Sequence, residues 1–104
     1  MPNILTKSTG KATIAGTTVY TVPAGTTATI IGLRATNTDT TAYHWVTISV
    51  AGFLVSPAQV RLPVGGGYEF TEGSKIVAEE GETIIVSSDT DNDIDIYISM
   101  LEQS

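Results

Sequence analysis

Apolar and polar side chains alternate most clearly along two segments of the chain, residues 42–50 and 94–102. A period of two is typical of a β-strand that has one buried and one exposed face. The side chains predicted to share the buried faces are His44, Val46, Ile48 and Val50 in the first segment, and Ile94, Ile96, Ile98 and Met100 in the second. The opposite faces carry Tyr43, Trp45, Thr47 and Ser49, and Asp95, Tyr97, Ser99 and Leu101.

A third extended segment covers residues 26–36, where one face is predicted to hold Ile31, Leu33 and Ala35 and the other Ile30, Gly32 and Arg34. Gly32 is expected to mark a bulge or bend, because glycine weakens a regular strand. Shorter strands are predicted over residues 3–7, 11–15, 17–22, 53–56, 59–62, 68–71, 75–79 and 83–88. No segment has a helical period, and the 17 threonines favour pleated structure.

Turn residues separate these segments about every ten residues, a spacing typical of a β-sandwich or barrel. Three corners, at 23–25, 63–65 and 79–81, end in a glycine that can adopt the positive φ of a tight turn. The sequence therefore predicts an all-β protein, an antiparallel β-sandwich of about eight short strands with jelly-roll or immunoglobulin-like topology. A single domain spanning 1–104 is expected, in which residues 1–16 form an edge strand or an attachment arm.

The formal net charge of −6 is concentrated in the second half of the chain. Only Arg61 and Lys75 balance the ten acidic residues that follow Gly52, whereas the first half is close to neutral. An acidic surface repels phosphate backbones, so free nucleic acid is not an expected partner. No segment has the length of apolar sequence that a membrane span needs, and no leader segment is recognised, so a soluble, unprocessed protein is expected.

His44 is the only histidine, and the chain has no cysteine, which leaves few groups for nucleophilic catalysis. It stands beside Trp45 on a predicted apolar face, and no Gly-x-Ser-x-Gly motif accompanies it. A half-buried or interface histidine is therefore favoured over a catalytic base. No catalytic residue, cofactor or metal is predicted, and the chain is expected not to be an enzyme.

Four aspartates stand two residues apart in the segment 89–95 and superficially match the start of a calcium-binding loop. An EF-hand loop would require glycine where Ile94 stands and glutamate where Met100 stands. The segment is therefore interpreted as a polar hairpin tip, because aspartate and asparagine favour turns. Weak calcium binding at an assembled surface is the alternative.

Two groups of residues are candidates for a partner-binding surface. The first group is three aromatic residues on predicted solvent-facing sides of strands, Tyr43, Trp45 and Tyr97. They suggest a subunit contact, packing within the second sheet, or a stacking platform for carbohydrate. The stretch 3–16 combines lysines with isolated apolar residues such as Ile14, and it could dock on a partner or add a strand to an exposed edge. The predicted partner-binding residues are Ile4, Leu5, Lys7, Lys11, Tyr43, Trp45 and Tyr97.

Turn-and-strand motifs that cover nearly the whole chain resemble those of small virion-associated proteins of tailed bacteriophages. The motifs are YTVPAGTT at 20–27, ATNTDTTA at 35–42, the hairpin GSKIVAEEGETIIVSS at 73–88 and a terminal strand that ends in SMLE at 99–102. None of them is a catalytic signature.

The resemblance implies a β-sandwich structural protein of the virion, assembled in the host cytoplasm. Its implied role is that of a head decoration or cement protein, an oligomer, often a trimer, that binds the major capsid protein or another virion protein and stabilises the shell. A neck, tail or baseplate component, or an adhesin-like carbohydrate-binding domain, is the alternative.

Overall fold

The computed structural model describes residues 3–54, 60–69 and 76–103, which form ten β-strands. The strands are β1 Asn3–Lys11, β2 Thr17–Thr21, β3 Thr27–Asn37, β4 His44–Val50, β5 Phe53–Leu54, β6 Val60–Leu62, β7 Gly67–Glu69, β8 Ile76–Ala78, β9 Thr83–Ser88 and β10 Ile94–Gln103. None of these ranges contains a helix long and apolar enough to cross a membrane. The predicted all-β class is confirmed.

The strands form two antiparallel five-stranded sheets. Sheet A has the order β1-β10-β3, with β7 and β8 beside β3, and sheet B has the order β2-β9-β4, with β5 and β6 beside β4. The early strands pair with the late strands in reverse order, as in one long folded hairpin: β1 with β10, β2 with β9, β3 with β7 and β8, and β4 with β5 and β6. This nested pairing over two packed sheets is a jelly roll, one of the two predicted topologies.

The ten strands occupy eight positions in the two sheets, because β5 and β6 lie along the same side of β4, and β7 and β8 along the same side of β3. The predicted segments 83–88 and 94–102 match β9 and β10 to within one residue. The prediction of a separate strand at 11–15 was wrong. The pairing of β1 with β10 continues to Lys11, and the chain then crosses to sheet B, where Thr13 forms a β-bridge with Ser87. Parts of the predicted strands 53–56, 59–62, 68–71 and 75–79 lie outside the described residues.

The core lies between the sheets and is made of alternating side chains from both of them. In β10, the four predicted core residues from Ile94 to Met100 are buried, and in β4 Val46, Ile48 and Val50 are buried. Burial of such aliphatic side chains, each worth about 1.5–3 kcal/mol, is the main source of stability in a fold without disulfides. The alternation predicted for these two strands is confirmed.

A β-bulge interrupts β3 at Gly32 and reverses the face assignment of its first half. Ser99 of β10 lies opposite Gly32, whereas the next residue, Met100, lies opposite Ile30, so Ile31 is the additional residue of the bulge. Ile30 is buried, and Ile31 is 44% exposed on the outer face of sheet A. The predicted bulge at Gly32 is confirmed, but the placement of Ile31 with Leu33 was wrong, because a bulge shifts the alternation by one residue.

The three corners identified in the sequence have one geometry. Their glycines, Gly25, Gly65 and Gly81, have φ values of 73°, 68° and 81°, as the third position of a type II turn requires. The closing hydrogen bonds run from Thr26 N–H to the Pro23 carbonyl at 3.2 Å, from Gly66 N–H to the Pro63 carbonyl at 2.8 Å, and from Glu82 N–H to the Glu79 carbonyl at 2.9 Å. The corners are therefore a repeated turn, as predicted.

Candidate functional site

Residues 3–11 form the edge strand of sheet A and not a separate arm. Every residue from Asn3 to Lys11 pairs with β10, and Ser8 Oγ donates a hydrogen bond of 2.6 Å to the Val19 carbonyl in β2. Of the stretch 1–16, residues 3–11 therefore form an edge strand, whereas residues 12–16 cross to sheet B. The strand presents Leu5, Lys7 and Lys11 on the outer face of sheet A.

Tyr97 of β10 lies on the same outer face, between the two lysines of β1. The Lys7 ammonium is 5.8 Å from the centroid of the Tyr97 ring, a cation–π distance. Lys11 forms an ion pair with Asp95, and both side chains are half exposed. Four of the predicted partner-binding residues, Leu5, Lys7, Lys11 and Tyr97, are thus brought together by the pairing of β1 with β10.

The bulge adds a residue to this face that the sequence did not indicate as a surface residue. Ile31 projects beside Leu5 and Tyr97, and the three side chains border a shallow open groove. The groove, here called the β1–β10 groove, is lined by Leu5, Thr6, Lys7, Ile31, Tyr97 and Ser99. The glycine in the middle of the strand indicated a bulge but not which neighbouring residue would turn outward.

The other predicted partner-binding residues lie elsewhere. Ile4 is on the opposite side of β1 from Leu5 and is 52% exposed, and Ile14 lies in the connection to β2. Trp45 projects from β4 in sheet B, opposite Arg61. The Arg61 guanidinium is 4.6 Å from the centroid of the Tyr43 ring in the preceding connection. Because Tyr97 is in the other sheet, the three aromatic residues do not form one stacking platform.

His44, at the start of β4, is the centre of a second cluster at one end of the sandwich. Its Nε2 lies 2.7 Å from Asp39 Oδ2 and 3.6 Å from Asp93 Oδ2, and its Nδ1 lies 3.0 Å from Asp89 Oδ1. Only 12% of the His44 side chain is exposed. Each ring nitrogen faces a carboxylate, so both nitrogens act as donors when the imidazole is protonated.

Asp39 is held in place by its own neighbours. Its Oδ1 accepts hydrogen bonds of 2.9 Å from both the N–H and the hydroxyl of Thr41, and its N–H donates to Asn37 Oδ1. The hydrogen bond from His44 is the main cause that lowers the pKa of Asp39 to about 2, with those from Thr41 next. In turn, the hydrogen bond with Asp39 raises the pKa of His44 above its ordinary value, against the opposing effect of burial.

One oxygen or nitrogen each of Asp39, His44 and Asp93 lies within 4.8 Å of the others, a spacing compatible with a metal site. Ligands that stand about 2.0–2.2 Å from a cation are about 3 Å or more from one another. The separation of 2.7 Å between His44 Nε2 and Asp39 Oδ2 is instead a hydrogen-bond length. We therefore assign the cluster as a histidine ion-paired with aspartates and not as metal ligands.

Two aspartates of the segment 89–95, Asp89 and Asp93, face His44, whereas the other two are turned toward different partners. Asp91 Oδ1 accepts a hydrogen bond of 2.9 Å from the Ile14 N–H, Asp93 Oδ2 accepts one of 2.7 Å from the Thr90 hydroxyl, and Asp95 is paired with Lys11. The segment connects β9 of sheet B to β10 of sheet A, so the predicted hairpin tip was wrong: the two strands do not pair with each other, and the turn crosses between the sheets. Its carboxylates do not converge on one point as those of a calcium loop do.

Comparison with known proteins adds no further constraint, since no family model, curated protein or solved structure matches this chain.

Proposed function

We propose that this chain is a non-enzymatic structural protein of a tailed-bacteriophage particle, a head decoration or cement protein that binds the capsid lattice. The motifs that resemble virion proteins motivate the proposal, and the jelly roll, a fold used by viral capsid proteins among others, is compatible with it. The fold alone does not define a function. The proposal therefore depends on whether the protein has a surface that could bind a capsid protein.

The observation that carries the proposal is the β1–β10 groove. It combines exposed apolar side chains, Leu5 at 71% and Ile31 at 44%, with Tyr97 and the cationic Lys7. Aromatic and apolar side chains surrounded by a polar rim are typical of protein–protein contacts. A protein that repeats such a contact at many equivalent sites stabilises the lattice by mass action, because it binds the assembled shell and not the free subunits.

The proposed partner is the major capsid protein, and the proposed assembly is a homotrimer on threefold or quasi-threefold positions of the shell. Closed cyclic symmetry lets each copy contact an equivalent site. The runner-up within the same class is a neck, tail or baseplate component. Neither nucleic acid nor a membrane is a proposed partner.

The decisive experiment adds the purified protein to phage particles that lack it and then locates it by cryo-electron microscopy. Density on threefold or quasi-threefold positions of the head supports decoration, whereas density confined to the tail axis supports the runner-up. Particles that bind no copies would overturn the proposal. Sedimentation of the free protein measures its oligomeric state separately.

Point variants test the groove better than removal of residues 2–10, because loss of β1 would uncover the edge of β10 and the inner face beneath it. Leu5→Ser combined with Lys7→Glu is expected to abolish particle binding without loss of the folded state. Phe53→Ser is the matched control, because Phe53 is 76% exposed but lies in sheet B. Equal occupancy for the two variants would exclude the groove as the attachment surface.

A further inference from the structure

His44 joins two connections that are far apart in sequence. Asp39 belongs to the connection between β3 and β4, whereas Asp89 and Asp93 belong to the loop between β9 and β10. The imidazole lies between them, with Nε2 toward Asp39 and Nδ1 toward Asp89. The ring therefore connects the two loops at one end of the sandwich through hydrogen bonds on both of its nitrogens.

The charged groups around His44 are almost all acidic. The β3–β4 connection contributes Asp39, and the β9–β10 loop contributes Asp89 and Asp93, whereas Asp91 of the same loop is bonded to the Ile14 N–H. From β6, the uncharged Leu62 lies opposite His44, and the neighbouring Arg61 lies over the Tyr43 ring. Three carboxylates thus face one imidazole.

The balance of charge in this cluster depends on one proton. A protonated ring offers a donor to each side and partly neutralises the carboxylates. A neutral ring has a single N–H, so one of its two short contacts, at 2.7 Å to Asp39 or at 3.0 Å to Asp89, becomes an approach between a lone pair and a carboxylate. That contact is then repulsive, and three negative charges remain close together.

We propose that His44 is a proton-dependent clasp: the protonated side chain holds the β3–β4 connection against the β9–β10 loop, and deprotonation loosens residues 39–43. Two hydrogen bonds of the preceding residue, Thr38, keep the loosening from extending beyond residues 39–43. The Thr38 N–H and hydroxyl both donate to the Asp93 carbonyl, at 2.8 and 3.0 Å, and these bonds do not depend on pH. The loosened segment contains Tyr43, so the clasp also controls the order of that exposed ring and of its contact with Arg61.

The sign of the effect follows from the contacts. Because the pKa of His44 is raised in the folded protein, mainly by the hydrogen bond with Asp39, the folded state holds the proton more tightly than the unfolded chain does. The stabilisation is then fully present below the unfolded value of about 6.5 and is lost as the pH rises through the folded value. The clasp is closed in mildly acidic solution and open in alkaline solution.

The single histidine allows a direct test by proton NMR, since the only imidazole Cε1–H signals come from His44. The titration is run in the presence of EDTA, once on the folded protein and once in urea. The folded midpoint is expected above the unfolded one. Asp39→Asn and Asp89→Asn are each expected to lower it, with the larger shift for Asp39→Asn. A folded midpoint at or below the unfolded value overturns the proposal.

Amide hydrogen exchange then tests the release itself, after correction for the intrinsic pH dependence of exchange. Protection of residues 39–43 is expected to fall between mildly acidic and alkaline pH in the wild type and to stay constant in His44→Gln. Asp91→Asn is the control, because Asn retains the Oδ1 acceptor for Ile14; it should behave as the wild type does. The same loss of protection in His44→Gln, or a loss seen only without EDTA, contradicts a proton-dependent clasp.

Discussion

The side-chain amide of Asn37 donates a hydrogen bond of 3.1 Å to the main-chain carbonyl of Leu62, and so joins the end of β3 in sheet A to the end of β6 in sheet B. The same amide also donates to the carbonyls of Ala42 and Pro63, at 3.1 and 3.2 Å. Only 1% of Asn37 is exposed. One buried side chain therefore satisfies the main chain of two connections.

Asn37→Ala is expected to lower the free energy of unfolding by about 2–3 kcal/mol, because it removes a donor from the buried Leu62 carbonyl and from two partly buried carbonyls. Urea denaturation followed by circular dichroism measures the loss. Gln103→Ala, at the exposed end of β10, should change stability by less than about 0.5 kcal/mol. Equal stability of Asn37→Ala and Gln103→Ala would show that the hydrogen bonds of the Asn37 amide do not stabilise the fold.

Ala51 occupies a conformation that suits asparagine or glycine better. The hairpin between β4 and β5 has a two-residue loop, in which Ala51 has φ of 54° and Gly52 has φ of 83°. Two positive values define a type I′ turn, for which Asn-Gly is strongly preferred. Ala51→Asn is expected to raise the free energy of unfolding by about 1 kcal/mol.

The control for this prediction is Ala24→Asn, in a turn where alanine does not have a positive φ. Thermal denaturation should show a higher midpoint for Ala51→Asn and little change for Ala24→Asn. A loss of stability in Ala51→Asn would contradict the strain assigned to Ala51.

Because the glycines of the three corners have positive φ, replacing one of them by a residue with a side chain is expected to lower the free energy of unfolding. Gly81→Ala is expected to destabilise the protein by about 1–2 kcal/mol through φ alone, since an added Cβ would meet nothing within 4 Å. Gly32→Ala is the comparison: its Cβ would lie 3.6 Å from Ser99, an ordinary contact, and its φ is not positive. Stability should therefore be unchanged or slightly higher in Gly32→Ala. Calorimetric midpoints that fail to separate the two variants would refute this reading of the corners.

Gly10 of β1 lies close to Val19 of β2, the edge strand of the other sheet. A Cβ at Gly10 would lie 2.7 Å from Cγ1 of Val19 in β2. Gly10→Ala is expected to cost about 1–3 kcal/mol, as overpacking does. The double variant with Val19→Ala should recover part of that loss, and a double-mutant cycle measures the recovery. Strict additivity would mean that the two residues do not meet.

The lowered pKa of Asp39 predicts that part of the protein's stability is lost as the pH falls into the acidic range. A carboxylate with a folded pKa of about 2 and an unfolded pKa of about 3.8 stabilises the protein fully above the higher value and loses its contribution as the pH falls through the lower one. Asp39→Asn should therefore flatten the decline between about pH 4 and pH 2, measured as thermal midpoints.

Periodicity in the sequence was sufficient to predict β4 and β10 together with their core faces, and the bounds of β9 were predicted as well. It failed where the backbone adds a residue: the bulge at Gly32 turned Ile31 outward, and the alternation of residues 26–36 gave no sign of which side the extra residue would take. The strand predicted at 11–15 was likewise wrong, because Lys11 is the last residue of β1 and the chain then crosses to sheet B.

The candidate surfaces were less predictable for a different reason. Which strands share a sheet is decided by pairing between distant segments, so the sequence could not separate Tyr97 of sheet A from Trp45 of sheet B. The partners of His44 were missed for the same reason, since Asp89 is 45 residues away in the chain. The sequence also gave no sign that Tyr97 would lie beside Leu5, Lys7 and Lys11, because only the pairing of the first strand with the last brings them together.

The nested pairing has a consequence for how the chain folds. β9 and β10, the last two strands to emerge during synthesis, are interior strands of sheets B and A, and Asn3 must find Gln103. Neither sheet can be completed from the first half of the chain alone. Closing such long loops lowers the entropy of the chain before the contacts between distant strands can stabilise it. Folding in milliseconds to seconds, after the whole domain has left the ribosome, is the expected behaviour of this topology.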